Sequence, residues 1–561
     1  MSPWTVSVPM RMRFAVVVGL GFCAFPILAH AQPLPPGGGG TTVVDCGQGQ
    51  KISPRLTASR VALIIKGTCT ENVVGRVDDV SITTDGVTPA TIIPADPNQS
   101  TIRFEGSRRV VIDGRVINGT PGLTVNGGTF GIVATRGANV DVKNCLVTNT
   151  TSTGLIASYD SSLVVDNCTI TGNAGNGASA VNTSSLVITN SLVSSNALTG
   201  IAAARNSYVR VGQDAGGTAV VRPVTVSASG TNGVVITEGS AGNVVGGTIE
   251  TSGSTNLFIG RASSGQIGVG SNFSNADAGV TIQNGSRDGI GVEGANATIV
   301  FSTISGNART GILVSNGGSA RIGVLNGSTG YGPTTVSANG SAGILVSTGA
   351  GAFIGGTTVR GNGTLGGVLG RSGINVFHAA ATLAGDNVIE NNGEAGVLTS
   401  AGQVSIGDPG LGLTTTNTIS GNGGTGPTRA GVFAFEGGVI RVNDATISNN
   451  TGPAVQAFEG GIVELRGTTA VTVPAAGTTP GALVEFGSTL RLRDTASIVS
   501  ATGDGIQTNN LSAINIRDNN TVQGNGAGAV GVRCTFAATL TGNIANVSGN
   551  AGATAGCNAF P

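Results

Sequence analysis

The sequence predicts an all-β chain wound into a parallel solenoid of about sixteen coils, and three regularities predict it. Glycines that open a short apolar strand recur at a fixed interval, alternating apolar and polar runs follow them, and asparagines stand at a constant offset before the next opening position. The composition agrees: 94 glycines among 561 residues and only 10% charged residues suit a turn-rich chain. Regularly spaced Val and Ile argue against disorder.

The glycine column begins at Gly131 ("GIVA"), Gly154 ("GLIA"), Gly177 and Gly200 ("GIAA"), each 23 residues after the last. It returns at Gly233, Gly289, Gly311, Gly343, Gly373, Gly396 and Gly431, and the longer gaps read as loops inserted into single coils. Each unit also carries alternating runs such as "SLVVDN" and "TITGN", the period of a strand with one buried face. Three such strands are too short to enclose a core alone, so neighbouring units must stack.

The asparagines set the register. Asn173, Asn196, Asn307, Asn339, Asn392 and Asn450 each stand four residues before an opening position, and Asn362, Asn422, Asn525 and Asn550 share the same "I/V-x-x-N" place. Asn144, Asn167 and Asn190 form a second column at intervals of 23. Asn tolerates left-handed backbone angles at a tight turn. Stacked at the parallel-strand spacing of about 4.8 Å, its amides also bond up and down the column. Both columns are read as asparagine ladders.

With "G-I-x-V" strands, "I-x-x-N" turns and this coil length, the chain resembles the right-handed parallel β-helix proteins of the pectin-lyase-like class over roughly residues 100–550. The opening "VDCGQGQKI…IKGTCTENV" is similar to the entry segment of exported bacterial members. The resemblance implies the right hand of the coil, which periodicity does not supply. It implies no single activity, because the fold carries lyases, hydrolases, epimerases, adhesins and inert shafts.

The ends point to export. Arg11 and Arg13 precede the apolar run "FAVVVGLGFCAFPIL", and "AHA" at Ala29–Ala31 supplies a cleavage pattern, so residues 1–31 read as a signal peptide. Residues 32–45, with "PLPPGGGG", read as a tether, 46–100 as an N-terminal cap with the first strands, 101–533 as the β-helix and 534–561 as a C-terminal cap. The expected location is secreted or periplasmic, with no membrane span in the mature chain. Losing Arg11 and Arg13 turns 29 basic against 29 acidic residues into a net charge of −2, which makes no case for nucleic acid.

Once Cys23 leaves with the signal, six cysteines remain in three pairs, each 23 apart. Cys46–Cys69 and Cys534–Cys557 are expected as disulfide clasps on the two caps, where an open solenoid must be protected. Cys145 and Cys168 occupy equivalent places on stacked strands with Ser191 next, and are expected as buried free thiols. No metal-ligand spacing is present, and no pattern calls for a cofactor.

Chemistry is sought where charges and aromatics repeat. "AFEGG" occurs twice, setting Glu436 and Glu459 one coil apart with Phe435 and Phe458 beside them and Phe433 and Phe486 nearby. A retaining glycosidase pair has a similar separation but must flank a bond from two sides, whereas stacked residues point the same way. A solvated, duplicated turn is the other reading. Arg441, Glu464 and Arg491 align with alternating sign, and Arg466, Arg493 and Arg517 align as three stacked guanidiniums adjoining Asp494 and Asp518. These arginines are read either as a charge-balanced, solvated face or as a ladder for the carboxylates or sulfates of an acidic glycan. Neither the aspartate clusters of pectate lyases nor the Gly-His-Gly of polygalacturonases appears. Two functions therefore stand: a structural, adhesive or polysaccharide-binding protein without a catalytic constellation, and a polysaccharide lyase or glycoside hydrolase working from a groove on the β-helix.

Overall fold

One regular coil shows how the chain folds. Leu155–Ser158, Ser162–Asp166 and Thr169–Thr171 are three short strands separated by tight corners, and Ala178–Val181, Ser185–Thr189 and Leu192–Ser194 repeat them one coil later. The two coils pair in parallel and in step, with Leu155 opposite Ala178, Ser162 opposite Ser185 and Thr169 opposite Leu192. The three ladders built this way are called the opening, middle and closing faces, in chain order. Within each strand alternate residues point inward, so Leu163, Val165, Leu186, Ile188, Val209 and Val211 form columns along one continuous core. Slipping any strand by one residue would turn its apolar set to water, which fixes the register.

The computed structural model describes residues 41–214, 220–269, 278–324, 332–363, 370–407, 416–424, 429–473 and 479–560. The segment read as a signal peptide and most of the tether lie outside these residues. The opening face is nineteen strands deep, from Val73–Gly75 to Thr554–Ala555. At about 4.8 Å per strand this extends roughly 86 Å. The sequence count of about sixteen falls short because several coils open without glycine: Asn72, Thr101, Asn256, Ala454 and Ala553 hold that place. Thr42–Asp45, assigned above to the tether, pairs with Val61–Thr70 as the first middle-face strand, and strands continue beyond residue 534 to Asn558–Phe560.

Both predicted clasps are present. Cys46 bonds Cys69 and Cys534 bonds Cys557 across consecutive coils, with Cα separations of 4.9 and 4.8 Å. Cys145 and Cys168 are free and buried. Their sulfurs serve a column that satisfies backbone N–H groups: Cys145 N donates to Cys168 Sγ (3.4 Å) and Cys168 N to Ser191 Oγ (3.0 Å). The same column later holds Asn387 and Asn417, a short ladder that the sequence reading missed.

The main asparagine ladder is buried and runs in one direction. Asn307 Nδ2 donates to Asn339 Oδ1, Asn339 to Asn362, Asn362 to Asn392, Asn392 to Asn422 and Asn422 to Asn450, at 2.9–3.1 Å. Of the two reasons expected, the amide bonding holds and the left-handed angle does not. The left-handed angle falls on the residue before, as at Ser195 and Asn449, and the ladder asparagine is used for its amide alone. Each amide lies against an opening glycine: a Cβ on Gly311 would stand 2.7 Å from Asn339 Nδ2, and one on Gly431 would stand 2.6 Å from Asn450 Nδ2. The glycine and asparagine columns are therefore one device. Asn525 and Asn550 share the motif but not the ladder; Asn525 is half-buried and Asn550 exposed. The second column behaves as expected, with Asn144, Asn167 and Asn190 all left-handed.

Candidate functional site

The repeated "AFEGG" is first of all a corner. After the opening strand Val432–Phe435 the chain turns through two consecutive left-handed residues, Glu436 (φ 48°) and Gly437 (φ 74°), into the middle strand Val439–Asn443. Glu459 (φ 48°) and Gly460 (φ 77°) repeat the turn one coil on. The next glycine, Gly438, has no room for a Cβ, which would meet Thr399 O at 2.8 Å. Both glutamates are exposed. Ser400 Oγ donates to Glu436 Oε2 at 2.6 Å, so this carboxylate turns toward the preceding coil. Two carboxylates stacked at equivalent places of consecutive corners lie on one side of any bound chain, whereas a glycosidase pair flanks the scissile bond from two sides.

Beside them the aromatic rings form a continuous file. Phe433 and Phe435 have centroids 5.9 Å apart, Phe435 and Phe458 5.9 Å, and Phe458 and Phe486 4.9 Å. Phe433 is buried outside the main core against Ala395 and Ala430, and Phe435 and Phe458 pack on that cluster. Exposure rises along the file until Phe486 is half exposed.

The arginines lie on the outward side of the adjoining middle face. Arg441, Glu464 and Arg491 are in register, as are Asn443 and Arg466, and Arg493 follows Arg466 in the same column. Contacts cross the columns. Glu464, only 4% exposed, is met by Arg493 at 2.5 Å, Arg466 at 2.9 Å and Arg441 at 3.7 Å. One buried carboxylate thus gathers three guanidiniums, and this is the relationship the sequence alignment did not anticipate. Asp494 Oδ2 accepts Gly467 N (3.1 Å) and Asp518 Oδ2 accepts Asp494 N (3.0 Å), capping backbone at the next corner. Arg517 donates through Nε to Asn515 Oδ1 at 3.1 Å. Arg441, Arg491 and Arg517 are exposed.

The same pattern recurs at the other end, where Glu105 meets Arg103 (2.7 Å), Arg76 (3.0 Å) and Arg136 (3.4 Å). Cys46, Cys69 and Glu71 are the one His/Cys/Asp/Glu grouping of metal-site size among the described residues. The two sulfurs are bonded to each other, and Glu71 accepts the N–H groups of Ile52 (2.6 Å) and Ser53 (3.0 Å), so the group is a clasp and a cap. No helix of the described residues is long and apolar enough to cross a membrane.

Fold and surface together define a parallel β-helix that carries its repeated arginines and the Glu436 and Glu459 corners on its outside. The chain belongs to the right-handed β-helix family: the model described as "Right handed beta helix region" matches residues 84–215 and 288–470, more than half of its length. No curated protein matches the sequence. Among solved structures, the A-module of mannuronan C-5 epimerase AlgE6 from Azotobacter vinelandii aligns over 93% of this chain and 91% of that chain, with 13% identity and a TM-score of 0.27. A score that low carries no argument about activity.

Proposed function

We propose that this is an exported, non-catalytic β-helix shaft that holds an acidic polysaccharide through the arginines of its C-terminal middle face. The observation that carries this reading is the ratio of charges: Arg441, Arg466, Arg491, Arg493 and Arg517 share one outward face with a single buried carboxylate, Glu464. Glu464 holds Arg466 and Arg493 in place, and the exposed Arg491 and Arg517 remain as planar donors for carboxylate or sulfate groups. The phenylalanine file at the neighbouring corner offers an apolar edge for the C–H faces of sugar rings. Residues 1–31 direct export in this reading, and 101–533 carry the surface.

Because Arg466 and Arg493 also neutralise Glu464, the clean test removes the other two. Arg491→Gln with Arg517→Gln should elute from a polygalacturonate or dextran sulfate column at lower salt than the parent, with an unchanged melting profile. Equal elution salt removes the arginine face as the binding surface. Release of reducing ends or unsaturated sugars from the retained polysaccharide would establish turnover and replace the shaft with an enzyme.

A further inference from the structure

A second surface, far from the arginines, has a different chemistry. An Asn-Gly hairpin, Val116–Ile117 paired antiparallel with Thr120–Pro121, turns through Asn118 (φ 50°) and Gly119 (φ 80°) and projects from the middle–closing corner. With Pro223 and Thr225 of a later coil it walls a cleft of about 330 Å³ over Asn167, Asn190 and Leu192.

The floor is a polarised chain of amides. Asn190 Nδ2 donates to Asn167 Oδ1 (3.3 Å), Asn167 Nδ2 to Asn144 Oδ1 (2.7 Å), and Asn144 Nδ2 to Asp113 Oδ1 (2.7 Å). Every donor points toward Asp113, so the chain ends at its other side on the carbonyl of Asn190. The residue stacked on Asn190 in the next coil is Pro223, which has no N–H to give. That carbonyl ends the chain in the cleft, where Thr169 adds a hydroxyl; the hydroxyls of Thr120 and Ser191 already donate to Ile117 O (2.8 Å) and Thr189 O (2.6 Å). Leu192, 39% exposed, lies with Pro121 and Pro223 as an apolar strip in the same cleft. None of the lining residues is charged. Asp166 and Arg222, nearby, are paired with each other at 3.4 Å.

We infer that this cleft is a binding site for an uncharged sugar. Amides and hydroxyls that both give and accept hydrogen bonds match sugar hydroxyls, which do the same. An exposed apolar strip among them matches the C–H face of a pyranose ring. A charged ligand would lose hydration there without meeting a counter-charge. The volume is at the lower end of the range of ligand sites, roughly 300–1,000 Å³, which suits one or two sugar residues. Ten coils separate the Asn190 corner from Glu464, about 48 Å at the parallel-strand spacing. The two sites therefore succeed or fail independently.

The test uses saturation-transfer NMR and calorimetry on the full mature chain with cellotetraose, maltotetraose, xylotetraose and, as the charged comparison, tetragalacturonate. At least one neutral oligosaccharide should bind, and Asn190→Ala and Leu192→Glu should each weaken it by about tenfold or more. Both residues are exposed, so the variants are expected to fold, which thermal melting checks. The Arg491→Gln, Arg517→Gln variant should bind the neutral sugar unchanged. No binding by any neutral probe, or binding that survives both cleft substitutions, overturns the site, as does a preference for tetragalacturonate that Leu192→Glu abolishes.

Discussion

Asn256 fills the space left by Gly285. Asn256 stands in the glycine column, and Gly285 stands in the asparagine column of the same coil, so the two residue types have exchanged places. The Asn256 amide reaches into the vacated position, accepting Ser252 N at 3.3 Å and donating to Gln283 O and Asn307 Oδ1, both at 2.9 Å. These are the contacts a ladder asparagine makes. A Cβ on Gly285 would stand 2.8 Å from Asn256 Nδ2, so the side chains exclude one another.

The exchange predicts a strongly non-additive pair. Asn256→Gly leaves buried donors and acceptors unpaired, at about 1–3 kcal/mol. Gly285→Asn forces two amides into one site and destabilises by a similar amount, about 1–3 kcal/mol. The double variant restores the ordinary arrangement and should recover most of both losses. Chemical denaturation of the four proteins measures the coupling; additive losses would sink the explanation.

The two carboxylate settings predict opposite results. Glu436→Ala and Glu459→Ala remove exposed groups and should change stability by less than about 0.5 kcal/mol, leaving polysaccharide retention intact. Glu464→Ala removes the shared partner of Arg441, Arg466 and Arg493. The loss should be about 1–2 kcal/mol, below the cost of stranding a fully buried ion, because these arginines keep access to water. Thermal melts of the three variants distinguish these cases, and equal losses in all would remove the distinction.

The cysteines give a third expectation. Peptide mapping without reduction should find Cys46–Cys69 and Cys534–Cys557, while Cys145 and Cys168 react only after denaturation. The side-chain hydrogen bond with Cys168, the larger cause, and burial together hold the Cys145 thiol well above the ordinary range. Replacing the Cys534–Cys557 pair by serines should cost about 3 kcal/mol in the chain-entropy picture. The loss should appear as faster hydrogen exchange in the last coils; unchanged exchange there would show that the clasp is not what holds the end.

Acid should loosen the N-terminal coils first. A hydrogen bond from Arg109 lowers Asp79, and the N–H groups of Thr88 and Val87 lower Asp85 below the usual carboxylate range. At Glu105 burial acts to raise the value, and the charges of Arg103, Arg76 and Arg136 outweigh it. Each folded value lies below its unfolded value of 3.8 for Asp or 4.5 for Glu, so the stabilisation is complete above those values. It is lost as the pH falls through the lower, folded values. Hydrogen exchange across an acid series should show residues 61–113 opening before the Asn307–Asn450 stretch, whose amides do not titrate. Simultaneous opening would contradict this order.

The sequence alone determined the coil, the three faces, both asparagine columns and the clasps. The physical reason is that parallel strands in register convert a spacing along the chain into a column in space, so periodicity and contact are the same information. What the tertiary structure decided lies off those columns. Long side chains reach diagonally, so Glu464 takes Arg493 rather than its register partner Arg491. Coils opened by Asn72, Thr101 or Ala454 hide from a glycine count although their strands pair like the others. The hairpin at Asn118 and Gly119 leans over residues from two later coils, and the exchange of Asn256 with Gly285 becomes visible only when both occupy one site. Those contacts depend on side-chain reach and on packing between coils, and neither has a period to read.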